Sequence, residues 1–411
     1  MSRLLVFNLA TDADDPLLAF TTVWLNRLAT HYEAVDVITM RAGRLAVADN
    51  VRVYSVGKEL GWSEPRRVWE FTRLLRARLA EARYEACFAH MMPLFAVLGA
   101  PQLRIARVPV TLWYTHRSPH WTVRAAVPLV RRVVTAAPDS FPIATPKLRV
   151  LGHGVDTDFF SPANPAEPHS PAPLSSLERG SNEAPDRPHP PAPSPSGRRG
   201  EEIASVQTGA SSVPEGEGTR LRADTPGARA IVHVARLMPI KHQATLIRAA
   251  ASVPGTRAVL IGDVPPGQDT AYPSQLASLA AELGTEDRVA FAGAQSAEGV
   301  RDAYRAAFAA VNLSPPGLFD KAALEAMACA VPTLVANPAF DDLLGDDAAL
   351  LRTAGPDDAD GLAERLRALL AMPETERAAL GLRLRERTAA AHSLDGLIER
   401  LVRVLKTGEP A

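Results

Sequence analysis

The 411-residue chain is predicted to be an α/β protein made of two doubly wound domains with a disordered Pro-rich insertion between them. Three observations point there. Short apolar runs alternate with amphipathic helical patterns through residues 1–160, the signature of a parallel sheet covered by helices on both faces. The alternation resumes near residue 228. Between the two blocks, residues 161–227 are rich in Pro, Ser, Gly and charge and almost free of large apolar side chains, so they bury too little surface to offset the entropy of ordering. A chain of this length also exceeds one ordinary core.

The first block opens with a buried strand, RLLVFNLA, followed by a helical pattern, PLLAFTTVWLNRLATHY. AVDVITM and VRVYSVG read as strands, and PRRVWEFTRLLRARLAEARY as a helix with one apolar stripe. Strand EACFAHM, helix MPLFAVLGAPQLRIA and strand VPVTLWYTH follow. TVRAAVPLVRRVV is predicted as a helix, and VVTAAP and LRVLGHGV close the block. In open parallel sheets, ligands bind beyond the carboxyl ends of the strands. That rule selects Asp12, Asp14 and Asp15 after the first strand, together with His90, His116 and His153. The three aspartates could contact an acceptor, or simply solvate and cap the next helix.

Order is expected again at AIVHVA, a strand that runs into RLMPIK and a helix. Arg236 and Lys241 stand at this junction, where two cations suit a diphosphate. Further on, AAFAAVNLS reads as a strand. Pro315, Pro316 and Gly317 form a turn, and a helix starts near Asp320. Leu324, Met327, Ala328 and Val331 recur at helical spacing, so one face is buried. The free N–H groups and positive dipole of such a helix start are a natural phosphate cradle. Glu325, one turn in, could accept two hydroxyl hydrogen bonds, as from a ribose. Two plainer readings stand beside these: Asp320 as an N-cap, and Lys321 with Glu325 as a solvated i,i+4 pair.

The segment LEAMACAVPTLVAN resembles the donor-site signature of family-4 glycosyltransferases. ARLMPIKH is similar to that family's GRL...KG block with Ala235 for Gly, and LGHGVDTDFFSP to its NGVD...F.P segment with His153 for Asn. LWYTH, RAVLIGDVPP and RVAFAG also follow the family's order. The resemblance covers nearly the whole chain outside the insertion and is densest from Ile231 to Asn337. It implies the GT-B fold, two Rossmann-like domains facing across a cleft. Residues 1–160 would hold the acceptor, 161–227 form the insertion, 228–390 hold the donor, and a terminal helix in 391–411 pack back on the first domain.

The resemblance also implies roles. Arg236 and Lys241 bind the donor's phosphates, Glu325 is the second glutamate of the donor motif, and His116 lies nearest the transferred sugar. Gly262, Phe291 and Gly293 line the donor loops, with the nucleobase held near Phe291–Gly293. Gly317, Leu318, Phe319, Asp320 and Lys321 form the donor loop before Glu325. The acceptor side comprises Asp12, Asp14, Asp15, His90 and His153. The chain departs from the family where Gly317 stands in place of the first glutamate, eight residues before Glu325, and where the N-terminal Gly-Gly loop is absent. Asp320, three residues on, could reach inward instead, and DK before LEAMA resembles a variant subgroup.

The expected activity is retaining, metal-independent transfer of a sugar from a nucleotide-diphosphate sugar to a lipid, polysaccharide or small-molecule acceptor, in cell-envelope polysaccharide synthesis and with no cofactor. The alternatives are a non-catalytic sugar-nucleotide-binding relative and a GT-B epimerase. A net charge of −1 makes no case for nucleic acid. Residues 1–160 are nonetheless basic, with 20 Lys and Arg against 14 Asp and Glu. Helices bearing Arg66, Arg67, Arg73, Arg76, Arg124, Arg131 and Arg132 could lie on the inner membrane surface, or could merely solvate a packed stripe. Two cysteines, Cys87 and Cys329, both in apolar runs, suggest inert core thiols in a reducing cytoplasm. No signal peptide and no membrane-spanning run is expected.

Overall fold

A computed structural model describes residues 2–15, 18–116, 120–163, 228–265 and 267–409. The first sheet is entirely parallel. Its strands are β1 (Arg3–Thr11), β2 (Ala34–Ala42), β3 (Val51–Ser55), β4 (Ala86–His90), β5 (Val110–Trp113), β6 (Arg132–Thr135) and β7 (Leu148–Val150), in the order β3-β2-β1-β4-β5-β6-β7. Alternation along β1 divides its core. Leu4 and Val6 pack toward α1 (Phe20–Ala29), whereas Leu5 and Phe7 pack toward α2 (Glu64–Glu81), α3 (Pro93–Ile105) and α4 (Trp121–Leu129).

The second sheet is also parallel. Its strands β8 (Arg229–Val234), β9 (Thr256–Ile261), β10 (Val289–Phe291), β11 (Ala309–Asn312) and β12 (Thr333–Val335) lie in the order β10-β9-β8-β11-β12. Helices α5 (Gln243–Ala251), α6 (Tyr272–Glu282), α7 (Ala297–Ala306) and α8 (Lys321–Ala328) make its crossovers. After β12 come two single turns, α9 (Asp341–Leu344) and α10 (Ala348–Leu351), then α11 (Ala359–Ala371) and α12 (Glu374–His392). In both sheets the strand order reverses beside the first strand, between β1 and β4 and between β8 and β11. Those crevices are where open α/β sheets bind ligands.

The last helix, α13 (Leu394–Lys406), belongs to the first domain. Leu397, Leu401 and Val404 are fully buried there against α1, in the same core as Trp24, Leu25 and Leu28. Two chain segments pass side by side between the domains. Val155 N–H donates to the His392 carbonyl at 2.8 Å, and Leu394 N–H donates to the Val155 carbonyl at 2.8 Å. Arg27 of α1 adds an ion pair to Asp395 at 3.2 Å.

Two expected boundaries move. The helix expected through Val134 stops at Leu129: Pro128 sits in its last turn, Val130 is extended with ψ 152°, and Val133, Val134 and Thr135 are β-branched and join the sheet as β6. The helix expected from Pro16 begins at Phe20, with residues 16 and 17 outside the described set. The Pro-rich stretch expected to be disordered lies, from residue 164 to 227, outside the described residues.

Candidate active site

The loops after β8, β9 and β10 are tied edge to edge by backbone hydrogen bonds. Leu237 N–H donates to Asp263 O at 3.0 Å and Gly262 N–H to Gly293 O at 2.8 Å. Gly262 has φ 136°, and a Cβ there would lie 2.1 Å from the Ala235 carbonyl oxygen, so only glycine fits. Arg236 leaves this shelf exposed, with no ion-pair partner among the described residues. Its carbonyl accepts from Gln243 Nε2 at 2.9 Å, which fixes the turn into α5. His242, left-handed at φ 54°, makes that turn and sits 2.7 Å from Asp357.

Opposite, the loop after β11 runs from Leu313 to Asp320. Leu318 N–H donates to Pro315 O at 3.1 Å, and Gly317 has φ 83°. Pro at the second position and a left-handed Gly at the third define a type II β-turn. The residue that replaces the family's first glutamate is therefore one that the local backbone favours for its own reason.

Asp320 precedes α8 but makes no side-chain capping bond there. Its carboxylate turns under the loop to form an ion pair with Lys241 and to accept from Ser314 Oγ at 2.7 Å. Lys241 also donates to Ser314 Oγ at 3.0 Å. Burial alone would raise Asp320, but Lys241, Ser314 and Asn312 outweigh it and hold the carboxyl below its usual value. The N-cap reading is thereby corrected: Asp320 joins the β8 and β11 loops across the switch point. Lys321 and Glu325 do form the i,i+4 pair, at 2.9 Å, with Glu325 largely covered. Lys321 also lies 5.6 Å from the Phe20 ring of the first domain.

Phe319 makes a further contact between domains. Its ring stacks on His153 at 5.6 Å, on Phe340 at 4.4 Å, and lies 5.4 Å from His392. His392 Nδ1 is 3.3 Å from the His153 carbonyl oxygen. Burial lowers His153 to about 4, with Lys321 adding to the effect and Asp320 opposing it. His153 thus belongs to the hinge, beside the loop that follows β11. His392, Phe340, Ser314 and Gln243 were not singled out from sequence. Only Ser314 left a signal, a polar residue directly after an apolar strand.

The acceptor-side residues are less exposed to the cleft than the strand-end rule implies. Asp12 Oδ1 accepts from the backbone N–H of Asp14 and of Arg44, both at 3.0 Å. Asp14 holds Arg44 through two bonds of 2.7 and 2.8 Å. Asp15 is buried, ion-pairs with Arg41 and accepts from Leu18 N–H at 2.9 Å. None of the three caps α1, whose N-cap is Ala19: Asp12 and Asp14 hold the Arg44 segment, and Asp15 binds the turn ahead of the helix. His90 is 6% exposed inside a cage of Phe20, Trp24, Phe88 and Trp113, and burial lowers it to about 4. It is packed rather than presented, because β4 ends beneath α1. His116, by contrast, is exposed beyond β5, its ring 6.4 Å from Tyr114. Phe291 ends β10, and Gly293, two residues on, is left-handed at φ 66°.

A cavity of about 680 Å³ lies away from this chemistry, at the amino-terminal edge of the second sheet, lined by Arg229, Arg257, Phe308, Cys329 and Arg377 among others. Both cysteines are buried and unpaired with each other, and burial pushes Cys329 up to about 12. No cluster of metal-ligating side chains occurs among the described residues.

Solved structures share this arrangement end to end. HepE (Alr3699) of Anabaena, in complex with UDP and glucose, superposes with a TM-score of 0.66 over 99% of this chain and 100% of that one, at 18% identity. Sucrose-phosphate synthase of Thermosynechococcus elongatus gives 0.68 over 98% of both chains at 16% identity. The fold is GT-B. Within it, residues 223–386 match the family model described as glycosyl transferases group 1. Two D-inositol 3-phosphate glycosyltransferases are similar over part of the chain. That of Mycolicibacterium smegmatis is 42% identical over 106 residues, 26% of this chain and 24% of that protein. That of Mycolicibacterium paratuberculosis is 34% identical over 163 residues, 40% of this chain and 36% of that protein. The chain thus spans about a quarter to a third of the curated relatives it matches.

Proposed function

We propose that the protein transfers a sugar from a nucleotide-diphosphate sugar, held by the second domain, to an acceptor held by the first. One observation supports this most: Arg236, Lys241 and the start of α8 converge at the β8/β11 switch point, where the strand order leaves a crevice. Breaking the bond from the anomeric carbon to the diphosphate oxygen builds negative charge on the leaving group. An exposed guanidinium, an ammonium and a helix N-terminus aimed there stabilise that charge more in the transition state than in the ground state. Glu325 would hold ribose hydroxyls and the Phe291–Gly293 backbone the base. The complex of the HepE neighbour with UDP and glucose supports a donor of this class. Retention of configuration, metal independence and a family-4 assignment belong to the same reading, and rest on the resemblance of the motifs.

His116, exposed on the first domain, is the residue proposed beside the transferred sugar, and a glycan or lipid the acceptor class. The epimerase reading is disfavoured, since the carboxylates of Asp12, Asp14 and Asp15 are engaged in structural contacts. Contact with an anionic membrane face, in cell-envelope synthesis, fits the outer layer of the first domain. Trp69 and Trp121 are 63% and 62% exposed there, among the exposed arginines Arg66, Arg73, Arg76 and Arg124. No described helix is long and apolar enough to cross a membrane.

The test is transfer of labelled sugar from UDP- and GDP-sugars to lipid and oligosaccharide acceptors, comparing wild type with Lys241→Ala. Label in the acceptor that falls at least a hundredfold in the variant supports the proposal. Donor binding without any transfer would favour the non-catalytic relative.

A further inference from the structure

The partly buried carboxylate of Asp320, its side chain 22% exposed under the loop after β11, has a consequence for how a diphosphate would enter. Lys241 is the cation in contact with Asp320 among the described residues. Its other partners are neutral. Ser314 Oγ donates at 2.7 Å, and Asn312 lends its amide dipole without a full bond, because its Nδ2 is buried and unpartnered. Lys321, the next residue, is turned away to Glu325 at 2.9 Å. The remaining titratable groups near the carboxylate are His233 of β8, Tyr304 of α7 and His153 from the hinge. His233 is 1% exposed, with both ring nitrogens unpartnered among the described residues, and burial, with Lys241 and His242 adding to it, lowers it to about 4. Tyr304 is buried, its hydroxyl donating to Ala322 O at 2.9 Å. None of these can replace the ammonium as a counter-charge.

We propose that Asp320 is the positioning residue of Lys241, and that a nucleotide-diphosphate sugar takes Lys241 over from Asp320 while the vacated carboxylate takes up one proton from solvent. This rests on the donor-site reading above. The ion pair holds Lys241 in the crevice before the donor arrives, so the ammonium need not be ordered on binding. Once the diphosphate draws the ammonium away, a carboxylate with only neutral donors around it, beside new negative charge, is stable only when protonated. The acquired proton can be donated to Ser314 Oγ, which then turns its own hydroxyl hydrogen elsewhere. Protonation offsets one of the two negative charges that the diphosphate brings, so the cluster of Lys241, Asp320 and donor gains one net negative charge instead of two.

The experiment is calorimetric titration of UDP-glucose, and of GDP-mannose, into the full chain between pH 6 and 8.5. Each pH is repeated in buffers of low and high ionisation enthalpy. These sugar nucleotides have no phosphate group that titrates in this range. The expected result is a heat that varies with buffer in the sense of uptake, approaching one proton. Affinity should fall as pH rises, by up to about tenfold per pH unit wherever uptake approaches one proton. Asp320→Asn should bind with a heat independent of buffer and an affinity independent of pH, which a merely structural carboxylate would not produce. Equal heats in all buffers for the wild type would overturn the proposal, as would uptake persisting in Asp320→Asn. Binding of neither sugar nucleotide at any pH would remove the donor-site reading itself, and the inference with it.

Discussion

Phe319 and His153 stack with ring centroids 5.6 Å apart and planes inclined by 17°, joining the loop after β11 to the segment that leaves the first domain. Phe340 closes the other contact of the same ring, 4.4 Å away. The loop that would hold a diphosphate is thus mechanically joined to the hinge.

Removing that ring should loosen both. Phe319→Ala is expected to cost about 2 kcal/mol of stability, from lost burial and stacking. It should also weaken nucleotide binding severalfold without abolishing it, since Arg236 and Lys241 remain. Urea denaturation and nucleotide titration measure the two effects. Unchanged binding would mean that the stack does not shape the loop.

Gly317 makes a second prediction. The type II turn needs φ > 0 at this position, and a side chain there costs about 1 kcal/mol. Gly317→Glu, which restores the family's first glutamate, is therefore expected to destabilise the chain and to leave sugar transfer no faster. A rise in kcat/KM would show that the turn yields to the carboxylate.

The terminal helix offers a prediction about domain identity. Leu397 is fully buried in the core of the first domain. Leu397→Ala should cost about 2–5 kcal/mol in chemical denaturation. Nucleotide affinity at 25 °C should stay within twofold, because the proposed donor residues lie on the other sheet. A large loss of affinity at full folding would show that α13 reaches the donor site through the hinge.

Buried histidines set an acid limit. His90 and His233 are both lowered to about 4, chiefly by burial. Their folded values lie below the unfolded value of about 6.5, so the unfolded chain binds protons first as pH falls. Their neutral form supports folding fully above about pH 6.5, and that support is lost between there and pH 4, by roughly 3 kcal/mol for each at the lower end. The urea midpoint should fall steadily from pH 7 to pH 5. A flat midpoint over that range would contradict the burial of these rings.

Much of the architecture was legible because it depends on local patterns. Apolar strands such as Leu4–Phe7 and Ala258–Ile261 alternate with helices that have one apolar face. Arg236, Lys241 and the loop before α8 were marked by their strand–helix junctions and by the motifs they carry, whereas the strand-end rule selected the aspartates and histidines of the first block. What was not legible depends on distance. His392 lies 239 residues from His153, and no periodicity announces their contact. Asp320 was expected as a possible N-cap because its position fits one. A lysine 79 residues earlier captures the carboxylate instead. The aspartates after β1 fit an acceptor contact equally well in sequence, and only the positions of Arg41 and Arg44 show how their charges are used. The end of α4 was misjudged because Arg131 and Arg132 extend the helical spacing while Pro128 and the β-branched residues beyond end it.

The central claim is a donor site at the β8/β11 switch point. Calorimetric titration with UDP and GDP, on wild type, Arg236→Ala and Glu325→Ala, tests it most directly. Saturable 1:1 binding of one nucleotide, weakened at least tenfold by Arg236→Ala and measurably by Glu325→Ala, is the predicted result. Binding of neither nucleotide, or binding indifferent to both substitutions in folded protein, would contradict it.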